Sequence, residues 1–134
     1  MARATRGLLD TSVFIALESA RALDHAALPD ESVVCPVTLA ELQAGVLAAA
    51  DVETRARRLA TLDAIADIEV LPIDAEVAAE WARLRLHLAQ AGRRLNVNDL
   101  WIAATAAANA LPVVTQDDDF APLAGVAGVE VIRI

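Results

Sequence analysis

Short apolar runs that stop abruptly and hand over to helical spacing recur along this chain, and that repeat limits the fold more than any single residue does. Gly7 to Leu9 reads as a buried strand ending at Asp10, and Thr11 to Leu17 has the polar start and apolar continuation of a helix. Ser32 to Cys35 repeats the unit, closed by Pro36 and followed by a helical run from Val37 to Ala50 with Leu39, Leu42 and Val46 on one face. Asp51 to Ile65 continues as a helix, with Leu59, Leu62 and Ile65 expected inward and Arg55, Arg57 and Arg58 expected in solvent. Glu69 to Ile73 is a weaker third strand. From Asp74, the positions Val77, Trp81, Leu84 and Leu88 recur at helical intervals until Gly92, a residue type suited to a helix C-terminus. Arg93 to Val97 reads as a loop, Asn98 as a cap, and Asp99 to Ala110 as a helix apolar almost all round, the pattern of a buried centre. Pro112 to Thr115 and Val129 to Ile134 supply two more strands.

Strands alternating with helices specify an α/β domain with a mainly parallel central sheet flanked by helices in three layers. At 134 residues the chain has the size of one domain, 1–134, with one core. Charged residues interrupt every apolar run before the roughly 18 to 20 residues a bilayer requires, so no membrane segment is expected. The opening, Met1 to Gly7, and the short apolar stretch after it lack the form of a secretory signal, and a cytoplasmic protein is expected. The single cysteine, Cys35, closes no internal disulfide and anchors no zinc cluster; it reads as a small buried apolar residue.

Charge sets a problem for any nucleic-acid reading. Eleven basic residues, all arginine, face nineteen acidic ones, and the formal net charge is −8. Phosphate binding is driven by positive charge and counterion release. Two features reconcile the balance with such a partner: a bound cation that reverses the local sign, or arginines gathered on one face.

Four acids fall where this topology gathers side chains. Asp10 follows the first strand, Glu41 lies within the second helix, Asp99 opens the buried helix and Asp117 follows the fourth strand. Ligands in open sheets of this kind bind beyond the carboxyl ends of the strands. Glu41 shares a helical face with Thr38 and Gly45, and Asp99 with Ala103 and Ala106, so small side chains flank both. Converging carboxylates repel, and the arrangement makes sense around a cation. With no cysteine pair and only His25 and His87 available, oxygen ligation selects Mg²⁺ or Mn²⁺, ions that activate water and stabilise charge on a phosphate. Each acid also has a plainer use. Asp10 and Asp99 suit helix starts, and Asp117, Asp118 and Asp119 suit a solvated loop. Glu41 is harder to supply with an ordinary role, since its helix otherwise reads as mostly buried.

The segments Leu9-Asp10-Thr11-Ser12, Thr38-Leu39-Ala40-Glu41-Leu42, Asn98-Asp99-Leu100-Trp101-Ile102-Ala103-Ala104 and Val114-Thr115-Gln116-Asp117-Asp118-Asp119-Phe120 resemble, in order and spacing, the four signatures of PIN domains. The resemblance covers essentially the whole chain and is to VapC-type toxins of mycobacteria. It implies a PIN-like fold and the toxin of a type II toxin-antitoxin system: a metal-dependent endoribonuclease, usually a homodimer, blocked by a VapB-type antitoxin. By position Asp10 and Asp99 match the family's principal metal ligands, while Glu41 and Asp117 complete the catalytic and metal-binding quartet. Thr115, Asp119 and Thr11 match supporting positions. Family substrates are structured RNAs, often transfer RNA. In that setting Arg83, Arg85, Arg93 and Arg94 flank the approach to Asp99 and are expected to contact phosphates; their plain alternative is a solvated helix face and loop. Trp81 and Trp101 read as core rather than interface.

Rival readings fare worse. Phosphotransferases of the haloacid dehalogenase type and receiver domains share only the Asp10 end, and both use a lysine that this chain lacks. No Gly-rich phosphate loop with Lys and Ser or Thr occurs, and neither histidine sits in the context of a Ser/His/Asp hydrolase. The non-enzyme alternative is a catalytically inactive PIN-like module that binds RNA or protein without cutting.

Overall fold

The computed structural model describes residues 4–134. Met1 to Arg3, the start of the stretch read as lacking a secretory signal and of the 1–134 domain, lie outside them. Among the described residues five strands form one sheet in the order β3-β2-β1-β4-β5. These are β1 (Arg6–Leu9), β2 (Glu31–Val34), β3 (Glu69–Val70), β4 (Val113–Thr115) and β5 (Val131–Arg133). Every ladder is parallel. The helices are α1 (Thr11–Glu18), α2 (Pro36–Leu47), α3 (Val52–Ala64), α4 (Ala75–Ala91) and α5 (Val97–Ala108). The α/β expectation holds, with a sheet that is wholly parallel.

The chain moves outward from β1 through β2 to β3, then crosses back to place β4 on the other side of β1. Because parallel crossovers are right-handed, reversing direction sends the connecting helices to opposite faces. Strand parity shows the consequence. Leu8, Val33 and Val113 point into one apolar cluster with Val77, Leu84 and Leu88 of α4 and Leu100 and Ile102 of α5. Their neighbours Leu9, Val34 and Val114 point into the other, with Val13 and Phe14 of α1, Leu42 of α2 and Ile65. The single expected core is therefore divided by the sheet. Gly7 is required in β1 by close approach: an added Cβ would meet Val114 at 2.9 Å and Pro29 at 3.2 Å.

Boundaries differ where side-chain caps intervene. The long helical run from Val37 to Ile65 is two helices, and the Asp51 carboxylate starts the second by accepting from the Thr54 amide at 2.7 Å. Asn96, not Asn98, caps α5, its side chain accepting from the Asn98 amide at 2.9 Å. The α4 run ends at Gly92 in the left-handed conformation, as its position in the sequence implies. One expected face is rotated. In α3 the inward stripe runs through Thr54, Arg58, Thr61 and Leu62 to Ile65 just beyond it, while Leu59 is 44% exposed. Arg58 is drawn inward with that stripe, its guanidinium donating to the Gly45 carbonyl of α2 at 2.5 Å.

Trp81 and Trp101 are half-buried against the α4–α5 cluster and stack with ring centroids 5.1 Å apart, as a core role requires. Cys35 is fully buried, and burial pushes its thiol up from the usual range. Among the described residues no helix is long and apolar enough to cross a membrane.

Candidate active site

Strand order reverses between β1 and β4, and the crevice beyond their carboxyl ends is where a doubly directed sheet leaves room for a ligand. A cleft of about 220 Å³ opens there, lined by Asp10, Thr11, Ser12, Ile15, Glu41, Asn96, Asp99, Asp117 and Asp119. All four expected acids reach it, together with Thr11 and Asp119.

Asp10 ends β1, where its backbone amide pairs with the Val114 carbonyl at 2.9 Å. It occupies the N-cap position of α1, yet makes no side-chain capping bond. Its Oδ2 instead accepts from the Ser12 hydroxyl at 2.7 Å and the Thr115 hydroxyl at 2.9 Å. Only 4% of Asp10 is exposed, and that burial raises its pKa; the Ser12 and Thr115 bonds pull the other way and Asp117 adds to the rise.

Glu41 projects from α2, whose buried positions are Thr38, Leu42 and Val46; the helix is buried along one face rather than mostly buried, and Leu47 at its end is exposed. The Thr11 hydroxyl donates to Glu41 Oε1 at 2.7 Å. The same hydroxyl also points to Thr38 Oγ1, a second and longer acceptor 3.2 Å away. Thr38 is thus a buried brace beneath the cleft rather than part of its wall. Asp117 follows β4, and its Oδ1 accepts from the Asp119 amide at 3.1 Å, an Asx-type turn that carries Asp119 back to the opening.

Asp99 sits in the first turn of α5, behind the Asn96 cap, so its carboxylate is not needed to start the helix. Its pKa is pushed up to about 7, first by burial and then by the charges of Asp10, Asp119, Glu41 and Asp117. Asp119 is raised as well, by desolvation and by Asp117. The carboxylates thus sense one another across the cleft, the condition a cation relieves.

The donor set fits a hard divalent ion, with oxygen ligands only. Among the described residues, however, no three His, Cys, Asp or Glu side chains are disposed to hold an ion at once. Mg²⁺ retains several waters and takes only one or two carboxylates directly, so this spacing suits a water-rich ion better than a closed protein cage.

The arginines gather differently from the acids. Among the described residues no arginine lines the cleft. Arg83 pairs with Glu80 at 2.6 Å and lies against Gly128, where an added Cβ would meet its guanidinium at 3.1 Å. Arg85 lies over the Trp81 ring, 5.4 Å from its centroid, within cation–π range. Arg93 and Arg94 stand on the short connection that leads from Gly92 to Asn96. Residues missed by the sequence reading are Ser12, Ile15 and Asn96. Ser12 had a signal: it stands two residues beyond Asp10 at a helix start, where a short hydroxyl reaches back.

Fold and site together define an α/β protein with a wholly parallel sheet whose acids converge on one crevice at the point where strand order reverses. The PIN domain family matches residues 7–126, and the chain belongs to that family. It is 63% identical over 128 residues to Ribonuclease VapC5 of Mycobacterium tuberculosis, covering 96% of this chain and 95% of that protein. It is 44% identical over 129 residues to Ribonuclease VapC4 of the same organism, covering 96% of this chain and 97% of the relative. The crystal structure of VapBC-5, a member of the VapBC family of toxin-antitoxin systems from M. tuberculosis, matches with a TM-score of 0.92 at 60% identity, covering 97% of this chain and 99% of that one.

Proposed function

We propose that this chain is the toxin of a VapBC-type toxin-antitoxin pair, an endoribonuclease that hydrolyses RNA phosphodiester bonds at the acid crevice with Mg²⁺ or Mn²⁺. The observation that carries the reading is the convergence of Asp10, Glu41, Asp99 and Asp117 on one cleft at the sheet's reversal point. Relatives named as ribonucleases along nearly their full length support the activity, and the VapBC-5 complex supports a VapB-type antitoxin as partner. From its length and apolar pattern we further take residues 1–134 as one domain acting in the cytoplasm, and from the family resemblance a homodimer acting on a structured RNA such as transfer RNA.

In this reading Asp10 and Asp99 are the principal ligands, and Glu41 and Asp117 act directly or through ion-bound water. A bound divalent ion lowers the pKa of water and offsets charge developing on the phosphate. The chain's own groups prepare that chemistry. Thr11 fixes the Glu41 carboxylate from below, and Thr115 and Ser12 fix Asp10. Asp119, returned to the opening by its turn, stands ready to orient a water. Arg93 and Arg94, on the connection into α5, are proposed phosphate contacts; Arg83 and Arg85 would join them only by leaving Glu80 and Trp81.

The rival, a PIN-like module that binds without cutting, draws on the lack of a ready three-ligand group. One comparison separates the two. The protein, freed of antitoxin, is incubated with total RNA and Mn²⁺ or Mg²⁺, beside Asp99→Asn and an EDTA control. Discrete cleavage that needs both the ion and Asp99 supports the nuclease. RNA binding without cleavage in any ion supports the module instead.

A further inference from the structure

Two hydroxyls on Asp10 Oδ2 carry a directional signal that the acids alone do not. A hydroxyl has one proton, so its bonds can be sorted once its acceptor side is known. The Gln116 backbone N–H can only donate, and it donates to Ser12 Oγ at 3.0 Å. The Asp117 N–H likewise donates to Thr115 Oγ1 at 3.3 Å. Each hydroxyl oxygen thus accepts a hydrogen bond from the exit of β4 and has its own proton to donate. The nearest acceptor for both is Asp10 Oδ2, at 2.7 Å from Ser12 and 2.9 Å from Thr115. The competing contacts, Ser12 to Thr115 at 3.2 Å and Thr115 to Asp117 at 3.3 Å, are longer. Gln116 is itself anchored, its side-chain amide donating to the Ile134 carbonyl at 2.6 Å. The end of β5, the exit of β4 and the start of α1 are thereby joined at Asp10.

We propose that Ser12 is a positioning residue, whose hydroxyl, oriented by the Gln116 amide and acting with Thr115, binds Asp10 through Oδ2 and leaves Oδ1 for the divalent ion. The inference rests on the metal reading of the crevice. A carboxylate that rotates samples both oxygens, and an ion that takes only one or two protein ligands loses affinity with each rotation. Ser12 limits that rotation from the α1 side and Thr115 from the β4 side.

The test is a Mn²⁺ titration of the metal-free, antitoxin-free full chain, followed by the loss of the free-ion EPR signal, with thermal melts in parallel. Wild type and Asp99→Asn define the crevice site as the binding that Asp99→Asn loses. Ser12→Ala is expected to raise the Kd of that site about tenfold, the scale at which removal of a ligand's hydrogen-bond partner acts. Ser12→Thr, which keeps the hydroxyl, is expected to bind within about threefold of wild type. A simple loss of stability would lower both melts without separating the two affinities. Ser12→Ala binding as tightly as wild type, or Ser12→Thr binding as weakly as Ser12→Ala, would overturn the proposal while leaving the metal reading standing. If wild type itself binds no Mn²⁺, both fall together. Should Ser12→Ala melt too low to titrate, Ser12→Cys keeps the size with a much weaker donor; the same tenfold loss is expected, and wild-type affinity there overturns the proposal.

Discussion

Helix α1 separates two hollows of opposite character. On one side Thr11, Ser12 and Ile15 face the acid crevice of about 220 Å³. On the other, Val13, Phe14 and Leu17 wall a larger cleft of about 550 Å³, closed by Ala60, Thr61, Ala64 and Ile65 from α3 and its end, and mostly apolar. The larger space holds little chemistry; the smaller one gathers carboxylates from four separate parts of the chain. Volume and charge therefore part company here, and the proposed chemistry follows the charge gathered at the sheet's reversal point. Four substitutions or conditions test how sharply the two sides differ.

The largest difference is expected in catalysis. Asp99→Asn keeps size and removes charge, and RNA cleavage with Mn²⁺ is expected to fall about a thousandfold, beyond the 10- to 100-fold typical of groups that only support a ligand. Phe14→Ala, across the helix, is expected to leave cleavage in place while lowering stability by about 3 kcal/mol, since Phe14 is 4% exposed within its cluster. A melt near 10 °C lower would register it. If Phe14→Ala silenced cleavage well below its melting point, the two sides would have to be treated as one site.

A pH series sharpens the same contrast. Asp99 has its folded pKa raised to about 7, so the folded state holds a proton that the unfolded chain releases at lower pH. Its contribution is fully present below the ordinary carboxylate pKa and is lost as pH rises through about 7. Asp10 and Asp119 shift in the same direction. The metal-free protein is therefore expected to melt on the order of 5 °C lower at pH 8 than at pH 5, and Asp99→Asn is expected to flatten that slope. Mn²⁺ at pH 8 should recover the lost degrees in wild type by binding the folded state. A wild-type melt that rises from pH 5 to pH 8 without metal would show that the acids do not repel as the crevice implies.

What the sequence made legible followed from local rules. The strand ends at Asp10 and before Asp117, the Gly92 stop and the apolar α5 are each written in adjacent residues. The acids were found because topology alone carries them to one edge. The arginines were not, since helical spacing tells that Arg85 and Arg58 leave an apolar stripe but not that one meets Trp81 and the other Gly45. For Ser12 the reach back to Asp10 was local, but its partner amide at Gln116, just beyond β4, was not. Contacts between distant elements depend on how helices rotate as they pack, and in α3 that rotation brings Arg58 to the Gly45 carbonyl.

The smallest expected effect lies at Leu17, and it is the one that best probes the wall itself. Leu17 is 49% exposed and lines the apolar cleft, two residues beyond Ile15 on the crevice side. Half-exposed, it has less apolar area to lose, and Leu17→Ala is expected to cost under about 1 kcal/mol. The Thr11–Glu41 and Ser12–Asp10 bonds are made at the start of α1, and nothing in them depends on Leu17. Cleavage rate and Mn²⁺ affinity should therefore match wild type. A tenfold loss in either, with the melt unchanged, would mean that α1 shifts as a rigid rod and carries a change in the apolar cleft to Asp10. In that case the helix would couple the two hollows rather than separate them.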